Sequence, residues 1–429
     1  MLIPSHTSAT NDQGQTPSYL GSLVILTSLF FIWGFITCLN DILIPHLKAV
    51  FTLSYTQAML VQFCFFAAYF VVSVPSGYLV EKINYKAGIV VGLAIAGSGC
   101  LLFYPAAAWH SYPVFLAAFF VLASGICLLQ VAANPYVTLL GKPETASSRL
   151  TLTQAFNALG TTLAPYFGAL LILSTTVKSA AEMSLLDSDA LASYQAAQAA
   201  AVQKPYLLLA AVLLLLAMVF AVIRLPNIVA TQQSETAAAP VDVRSSAWAY
   251  RHLVLGALAI FVYVGSEVCI GSFLINYLGE PTVAGLPEAE AGKYVSFYWG
   301  GAMLGRFVGA FTMQKIQAHK VLTVHAVMAA LLVLTTIFSA GAVAMWSILA
   351  VGLFNSIMFP TIFALAVKGL GIHTGQGAGI LCAAIVGGAI LPVLQGVFAD
   401  QIGIQAAFLV PVLGYAYIAY YGWHGHREG

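Results

Sequence analysis

Apolar stretches of about twenty residues or more alternate with short polar segments along almost the whole chain. A helix rises ~1.5 Å per residue, so each stretch is long enough to cross a hydrocarbon core of roughly 30 Å. Ten-residue segments of alternating polarity, which are typical of membrane β-barrels, are absent from the sequence. The pattern therefore predicts an all-α protein whose helices span a membrane.

Charged residues and Pro/Gly clusters divide these stretches into twelve spans in two halves. The predicted spans are 19–44, 56–80, 87–105, 113–140, 150–175 and 205–224, then 252–278, 292–313, 321–341, 344–367, 375–399 and 404–424. A polar tail at 1–18 precedes a first six-helix bundle at 19–225, and a polar linker at 226–250 leads to a second bundle at 251–429. The Ala-rich external loop at 176–204 has room for a short helix.

Composition and charge agree with a membrane protein. Of the 429 residues, 60% are hydrophobic and 7% are charged, against roughly 45–50% and about 25% in soluble domains. If the N-terminus is cytoplasmic, twelve of the 16 Lys and Arg residues face the cytoplasm, as the positive-inside rule requires. We therefore predict a multi-pass protein of the cytoplasmic (inner) membrane with both termini inside. The tail at 1–18 lacks Lys, Arg and an apolar core, so no cleavable signal is predicted.

Motifs for other classes of protein are missing from the sequence. There is no P-loop, HExxH or GxSxG motif, so neither an ATP-driven motor nor an enzyme is expected. The nine histidines and six cysteines show no metal-ligand spacing, so we expect no metal and no cofactor. A net charge of +1 and the lack of a basic block give no indication of a nucleic-acid partner.

Landmarks in the two halves repeat at a nearly constant offset. Pro135 in span four corresponds to Pro360 in span ten, at an offset of 360 − 135 = 225. Pro165 in span five corresponds to Pro392 in span eleven, at an offset of 392 − 165 = 227. Such a repeat predicts two tandem, parallel-related bundles with a shared central cavity.

Two carboxylates fall well inside predicted spans, and they occupy matching places. The same offset carries Asp41 of span one to Glu267 of span seven, since 267 − 41 = 226. An ionisable group at membrane depth costs several kcal/mol unless it faces water or a partner, and burial disfavours its charged form. Both carboxylates are therefore candidates for proton coupling, with a structural or gating role as the alternative.

Uncharged polar side chains at membrane depth form a second set, clustered in spans one, four, five, seven and ten. Amides donate and accept hydrogen bonds, as sugar hydroxyls do, so this set predicts a polar substrate cavity; the alternative is that the amides tie helices together. The candidate substrate ligands are Thr37, Asn40, Gln130, Asn134, Gln154, Asn157, Asn276, Asn355 and Gln395. The aromatic residues that could stack on a sugar ring, or else face lipid or the core, are Phe30, Trp33, Tyr263, Tyr298, Trp299 and Phe359.

Charged residues near the predicted cytoplasmic ends of the spans are candidates for gating. Ion pairs there could latch the two halves together, although the same residues could simply determine topology. The gating candidates are Glu81, Lys82, Lys86 and Arg306.

Segments in both halves resemble the major facilitator superfamily, and within it the fucose–galactose–glucose:proton symporter family. They include FFIWGFITCLNDILIPHLK at 30–48, AANPYVTLLG at 132–141, LTQAFNALGTTLAP at 152–165 and YVGSEVCIGSFLINYLG at 263–279. The Asn-Asp of span one and the Ala-Asn-Pro of span four are specific together. The resemblance implies a twelve-helix fold, alternating access by rocking of two bundles, and uptake of a hexose or related sugar with a proton.

Carried over by position, the resemblance implies that Asp41 is a coupling carboxylate and that Gln154 and Asn157 are sugar ligands. Fucose-transporting members of the family have Glu at the position of Gln130 and an amide at the position of Glu267. We therefore expect the second carboxylate to lie across the cavity, in span seven, which is similar to the glucose/galactose branch.

The expected function is uptake of glucose or galactose with a proton by a monomeric secondary transporter in the lipid bilayer. Fucose or N-acetylglucosamine as the substrate, and sodium as the coupling ion, are the alternatives within this class. A proton-driven exporter and a membrane sugar sensor without transport are the alternatives from other classes. The amide set argues against an exporter, and neither the N-terminal tail nor the linker offers the output module of a sensor.

Overall fold

The structure, a computed structural model, describes residues 19–50, 55–109, 111–171, 182, 185–223 and 245–428. This part of the chain is almost entirely helical and has no β-strand. The first half contains α1 (Leu20–Val50), α2 (Tyr55–Ile83), α3 (Tyr85–Ala108), α4 (Tyr112–Leu139), α5 (Ala146–Leu171) and α6 (Ser188–Val222). The second half contains α7 (Arg251–Gly279), α8 (Glu288–Thr312), α9 (Ala318–Phe338), α10 (Gly341–Asn355), α11 (Met358–Ala366), α12 (Thr374–Ala383), α13 (Gly387–Ile402), α14 (Ile404–Ala407) and α15 (Leu409–Tyr420).

These helices confirm the predicted all-α fold. Helices α1 to α9 each correspond to one of the first nine predicted spans. Span ten is divided into α10 and α11, span eleven into α12 and α13, and span twelve into α14 and α15. Pro360 contributes to the division of span ten, because proline has no N–H to donate to the carbonyl of Ser356, four residues earlier.

Ten helical segments in the described part of the chain are long and apolar enough to cross a membrane. The other two predicted spans, α5 and α8, are not among them. Both carry polar side chains on the surface that faces the opposite half, such as Gln154 on α5 and Arg306 on α8. The lower hydropathy of these two helices is therefore explained by their position between the halves, where they face a cavity rather than lipid.

Helix α6 begins earlier than the sequence predicted. Span six was expected at 205–224, after the Ala-rich loop, whereas α6 starts at Ser188. The carboxylate of Asp187 accepts a hydrogen bond from the backbone N–H of Ala190 at 2.8 Å and caps the helix. Alanine has the highest helix propensity, so the loop sequence continues the helix into the span. Most of the predicted linker, residues 226–244, lies outside the described residues and stays a prediction.

Equivalent glycines hold two pairs of helices in close contact, one pair in each half. A Cβ atom on Gly160 of α5 would overlap the carbonyl of Phe31 on α1. A Cβ atom on Gly387 of α13 would overlap the carbonyl of Phe261 on α7 in the same way. Small residues allow helix backbones to approach each other closely in membranes. Gly160 and Gly387 are separated by 387 − 160 = 227 residues, the offset of Pro165 and Pro392, so the repeat in sequence corresponds to a repeat of one packing contact.

Replacing Gly160 by valine is expected to destabilise the first half, because the side chain has no room beside the α1 backbone. Overpacking of this kind costs about 1–3 kcal/mol or more. Thermal unfolding in detergent, followed by scanning fluorimetry, measures the loss. The control is Gly300→Val, since no atom lies within 4 Å of a Cβ built on Gly300. Equal melting temperatures for the two variants would contradict the packing argument.

Candidate functional site

The two halves meet where α2 ends and α5 begins, at the face predicted to be cytoplasmic. The carboxylate of Glu81 on α2 accepts hydrogen bonds from the backbone N–H and from the side-chain amide of Gln376, each at 2.9 Å. The hydroxyl of Ser148 on α5 donates to the carbonyl of Ala310 on α8 at 2.6 Å. These contacts join the first half to the second and close this face.

A cavity of about 230 Å³ lies between the two halves. Helices α1, α2, α4 and α5 contribute one wall, and α7, α8 and α11 contribute much of the other. The polar residues that line it are Thr37, Gln130, Gln154, Asn157, Glu267 and Arg306. The aromatic rings that line it are Trp33, Phe65, Tyr69, Tyr263 and Phe359. Amides therefore lie on one wall, and the two charges of the lining face them from the other.

The wall that carries Gln130, Gln154 and Asn157, the amide wall, has hydrogen-bonding groups that are available to a ligand. The side-chain N–H of Asn157 donates to the carbonyl of Phe30 at 2.9 Å, which fixes the amide against α1. Gln154 approaches Asn134, with 3.5 Å between Nε2 and Oδ1. Gln130 is 7% exposed, and its Oε1 atom has no hydrogen-bond partner among the described residues. Because buried polar groups are normally paired, this wall is suited to a ligand with hydroxyl groups.

The opposite wall places a carboxylate and a guanidinium in the same cavity. Glu267 is half-buried, and its Oε1 atom accepts a hydrogen bond from the hydroxyl of Tyr263 at 2.8 Å. The Nε–H group of Arg306 donates to the carbonyl of Ser356 at 3.2 Å, and its positive charge acts on Glu267. Burial disfavours the charged form of a carboxylate, whereas a nearby cation and a hydroxyl donor favour it, so this wall carries the groups that decide whether Glu267 holds a proton.

Some predicted ligands lie behind the cavity wall or away from it. Asn355 is fully buried, and its side-chain N–H donates to the hydroxyl of Tyr298 at 2.7 Å, so it supports the wall instead of lining it. Gln395 is buried and does not line the cavity. Asn276 is exposed and also lies off the cavity, so the structure does not bring these three amides to the cavity lining, and their role as ligands stays a prediction. Asn134 is buried behind the cavity wall and contacts Gln154, which lines the cavity.

Asn40 and Asp41 fall on α1, but their side chains lie outside the described part of the chain. Thr37, one turn earlier, lines the cavity, and its hydroxyl donates to the carbonyls of Trp33 and Gly34 at 3.1 and 3.0 Å. The helix therefore continues from the cavity wall towards Asp41, and the role of this carboxylate stays a prediction.

The gating candidates have different surroundings. Glu81 does join the two halves, although its partner is an amide and not a cation. Lys82 is exposed, and Lys86 donates to the carbonyl of Ala221 at 2.8 Å within the same half. Arg306 lines the central cavity, which corrects its assignment to a span end. In the described part of the chain one ion pair is formed within 4 Å, between Lys368 and Glu428, so the closed face depends on hydrogen bonds and packing.

Removing the Glu81 carboxylate with Glu81→Ala is expected to shift the protein towards a state that is open at this face. Hydrogen bonds to a charged acceptor contribute about 1.5–3 kcal/mol when they are well shielded, and the partial exposure of Glu81 reduces this. Spin labels at positions 82 and 315, in a background without the native cysteines, allow the distance across this face to be measured by double electron–electron resonance. The distance distribution should broaden towards longer values. Glu144→Ala removes an exposed carboxylate at the same face and is the control. An unchanged distance distribution in Glu81→Ala would contradict the latch.

Arg306, Phe65 and Tyr69 line the cavity and were not predicted to do so. The inward direction of Arg306 could have been predicted from the sequence, because this residue falls seven residues before the predicted end of span eight and lies next to Gly305. A cation that far inside a span normally faces the protein interior. Phe65 and Tyr69 could not be separated by sequence from the many other aromatic residues of the spans.

Comparisons with known proteins agree with this architecture. Residues 20–385 match the protein-family model described as Major Facilitator Superfamily. The chain is 57% identical over 426 residues to the glucose/galactose transporter of Brucella abortus biovar 1 (strain 9-941), covering 99% of each chain. It is 35% identical to the L-fucose-proton symporter of Escherichia coli (strain K12), covering 96% of this chain and 95% of the relative. The crystal structure of the transporter FucP in the outward conformation superposes with a TM-score of 0.86 at 34% identity, covering 95% of this chain and 99% of that one.

Proposed function

The chain belongs to the major facilitator superfamily, and from that premise we propose that it takes up glucose or galactose together with a proton. Two halves that enclose one central cavity are suited to alternating access, in which one entrance closes as the other opens. The hydrogen bonds of Glu81 and Ser148 close one entrance, as expected of an outward-facing state. The protein is not an enzyme.

The observation that carries the proposal is the pairing of an amide wall with a single described carboxylate in one cavity. Gln130, Gln154 and Asn157 offer donors and acceptors for sugar hydroxyls, and Trp33 and Phe359 offer apolar faces for the sugar ring. Glu267 on the opposite wall provides a group whose charge can change with a bound proton. A cavity for an apolar drug would not require three amides.

The names of the relatives support a hexose as the substrate. The relative at 57% identity is named a glucose/galactose transporter, and the relative at 35% identity is named an L-fucose-proton symporter. Gln130 and Glu267 are the positions at which this chain departs from the fucose-transporting pattern. We therefore place proton coupling at Glu267, with Asp41 as a second coupling group, and hexose binding at the amides.

We also propose that the protein works as a monomer in the inner membrane with both termini cytoplasmic. The distribution of Lys and Arg supports this orientation. It places the closed face of the structure, at Glu81 and Gln376, on the cytoplasmic side. Proton and sugar would then enter the cavity from the periplasm and leave to the cytoplasm.

Uptake of radiolabelled glucose, galactose, fucose and N-acetylglucosamine into proteoliposomes tests the proposal. An imposed pH gradient without sodium should drive accumulation of glucose or galactose. Accumulation that requires a sodium gradient would show that sodium, and not the proton, is the coupling ion. Binding without uptake of any of these sugars would indicate a sensor, and transport of apolar compounds against the gradient would indicate an exporter.

A further inference from the structure

Span ten is interrupted beside the cavity. Helix α10 ends at Asn355 and α11 begins at Met358, with a turn at residues 356–357 between them. Pro360 has no N–H, so the carbonyl of Ser356 loses the donor that a continuous helix would provide. Pro135, its counterpart in the first half, lies inside the continuous helix α4. The interruption is therefore present in span ten, in the half that carries Glu267, and absent from the equivalent span four of the other half.

Side chains from three other helices bind the carbonyls at this interruption. The ring Nδ1 of His325 on α9 lies 3.0 Å from carbonyl 354, and it must donate because a carbonyl only accepts. The hydroxyl of Tyr263 on α7 lies 3.2 Å from carbonyl 355. The Nε–H group of Arg306 on α8 lies 3.2 Å from carbonyl 356. Two of these three donors, Tyr263 and Arg306, also line the cavity.

The hydroxyl of Tyr263 has one proton and two acceptors within reach. It lies 2.8 Å from Glu267 Oε1 and 3.2 Å from the carbonyl of Asn355. While Glu267 is charged, the carboxylate is the stronger acceptor and takes the proton of the hydroxyl. Once Glu267 is protonated, its own O–H can donate to the Tyr263 oxygen, and the hydroxyl proton is free to turn to Asn355.

We infer that Tyr263 is the positioning residue that transmits the protonation state of Glu267 to the interruption in span ten. Proton binding from the periplasm neutralises Glu267, and the hydroxyl of Tyr263 then binds the carbonyl of Asn355 and fastens α7 to span ten. Proton release returns the hydroxyl to the carboxylate and frees the carbonyl. No covalent bond of Tyr263 changes. This inference rests on the proposed function, because it assigns a role within proton coupling at Glu267.

The charged and titratable groups around this pair come from three helices. They are Arg306 and Tyr298 of α8, Tyr415 of α15, and Glu267 and Tyr263 themselves on α7. Arg306 is the single permanent charge of this group. It favours the charged form of Glu267, so release of the proton does not leave an isolated charge in the cavity.

Tyr263→Phe tests the inference, because it removes the hydroxyl and keeps the ring, which is 1% exposed. The ratio of accumulation under a pH gradient to sugar exchange between equal concentrations should fall by about tenfold or more, as expected when a hydrogen bond to a charged group is lost. Retained exchange also shows that the variant is folded. Accumulation equal to wild type would overturn the inference while leaving sugar–proton uptake in place.

Tyr277→Phe is the matched control. Tyr277 is another buried tyrosine of α7, and its hydroxyl donates to the carbonyl of Thr336 at 3.2 Å, away from Glu267. This variant should accumulate sugar as wild type does. If both variants lose accumulation to the same degree, the effect reflects a general loss of a buried hydroxyl, and the inference is wrong. If wild type itself does not accumulate sugar, the proposed function fails instead.

Hydrogen exchange of the peptide that covers residues 351–364 provides a readout that a purely structural role would not change. In wild type, protection of this peptide, corrected for intrinsic exchange, should rise by roughly fivefold as the pH is lowered until Glu267 binds its proton, as one additional neutral hydrogen bond predicts. The rise should be absent in Tyr263→Phe and present in Tyr277→Phe. A rise that persists in Tyr263→Phe would overturn the inference.

Discussion

Replacing Glu267 by glutamine is expected to abolish sugar accumulation while sugar exchange continues. One proton moving across 150 mV provides about 3.5 kcal/mol, enough for a sugar gradient of a few hundred-fold. Glutamine keeps the size of the side chain and can still contact the hydroxyl of Tyr263, but it carries no exchangeable carboxyl proton. The accumulation ratio under a pH gradient should therefore fall to about one.

Two measurements on the same proteoliposomes separate coupling from misfolding in Glu267→Gln. Counterflow of labelled galactose reports exchange, and uptake into vesicles with an alkaline interior reports coupling. Glu290→Gln, which removes an exposed carboxylate from α8, is the matched control and should behave as wild type. If Glu267→Gln still concentrates sugar, another group, such as Asp41, couples the proton.

Replacing Gln154 and Asn157 together by alanine is expected to weaken sugar binding by roughly 100-fold. Each amide offers one or two hydrogen bonds to a sugar hydroxyl, and each bond contributes about 1 kcal/mol. The two residues are three apart on α5 and share the face that lines the cavity. Asn157 also donates to the carbonyl of Phe30, so its removal leaves that carbonyl without this donor.

Isothermal calorimetry or a thermal-shift titration with glucose and galactose measures this loss. The control is Asn276→Ala, because Asn276 is an exposed amide of α7 that does not line the cavity. The affinity of Asn276→Ala for glucose and galactose should stay within about twofold of wild type, because substitutions at the surface generally have small effects. Equal losses in Asn276→Ala and in the double alanine variant would show that the sugar does not bind at the α5 amides.

The sequence predicted the fold well because the dominant signals were local. Span length, charge position and proline spacing each depend on a few neighbouring residues, and they predicted the helices α1 to α9 to within a few residues at most ends. The start of α6 was wrong because a capped Ala-rich segment extends a helix without adding hydrophobicity. The division of span ten at Asn355 depends on Pro360, whose effect was visible in sequence but was used only as a landmark of the repeat.

The candidate site was predicted less completely, because lining a cavity depends on which face of each helix points inward. Gln130, Gln154, Asn157 and Glu267 were predicted and do line it. Asn276 has the same chemistry, but it is exposed near the end of α7 and does not line the cavity. Arg306 was assigned to a span end because its position seven residues inside span eight was not used, and it lines the cavity.

Entry of a proton with each sugar is tested most directly by external pH in a weakly buffered suspension of wild-type proteoliposomes without sodium. Addition of glucose or galactose should make the medium more alkaline, at a rate that follows sugar uptake, and Glu267→Gln should take up sugar without this change. Sugar uptake by wild type with no alkalinisation would contradict proton-coupled uptake through this cavity.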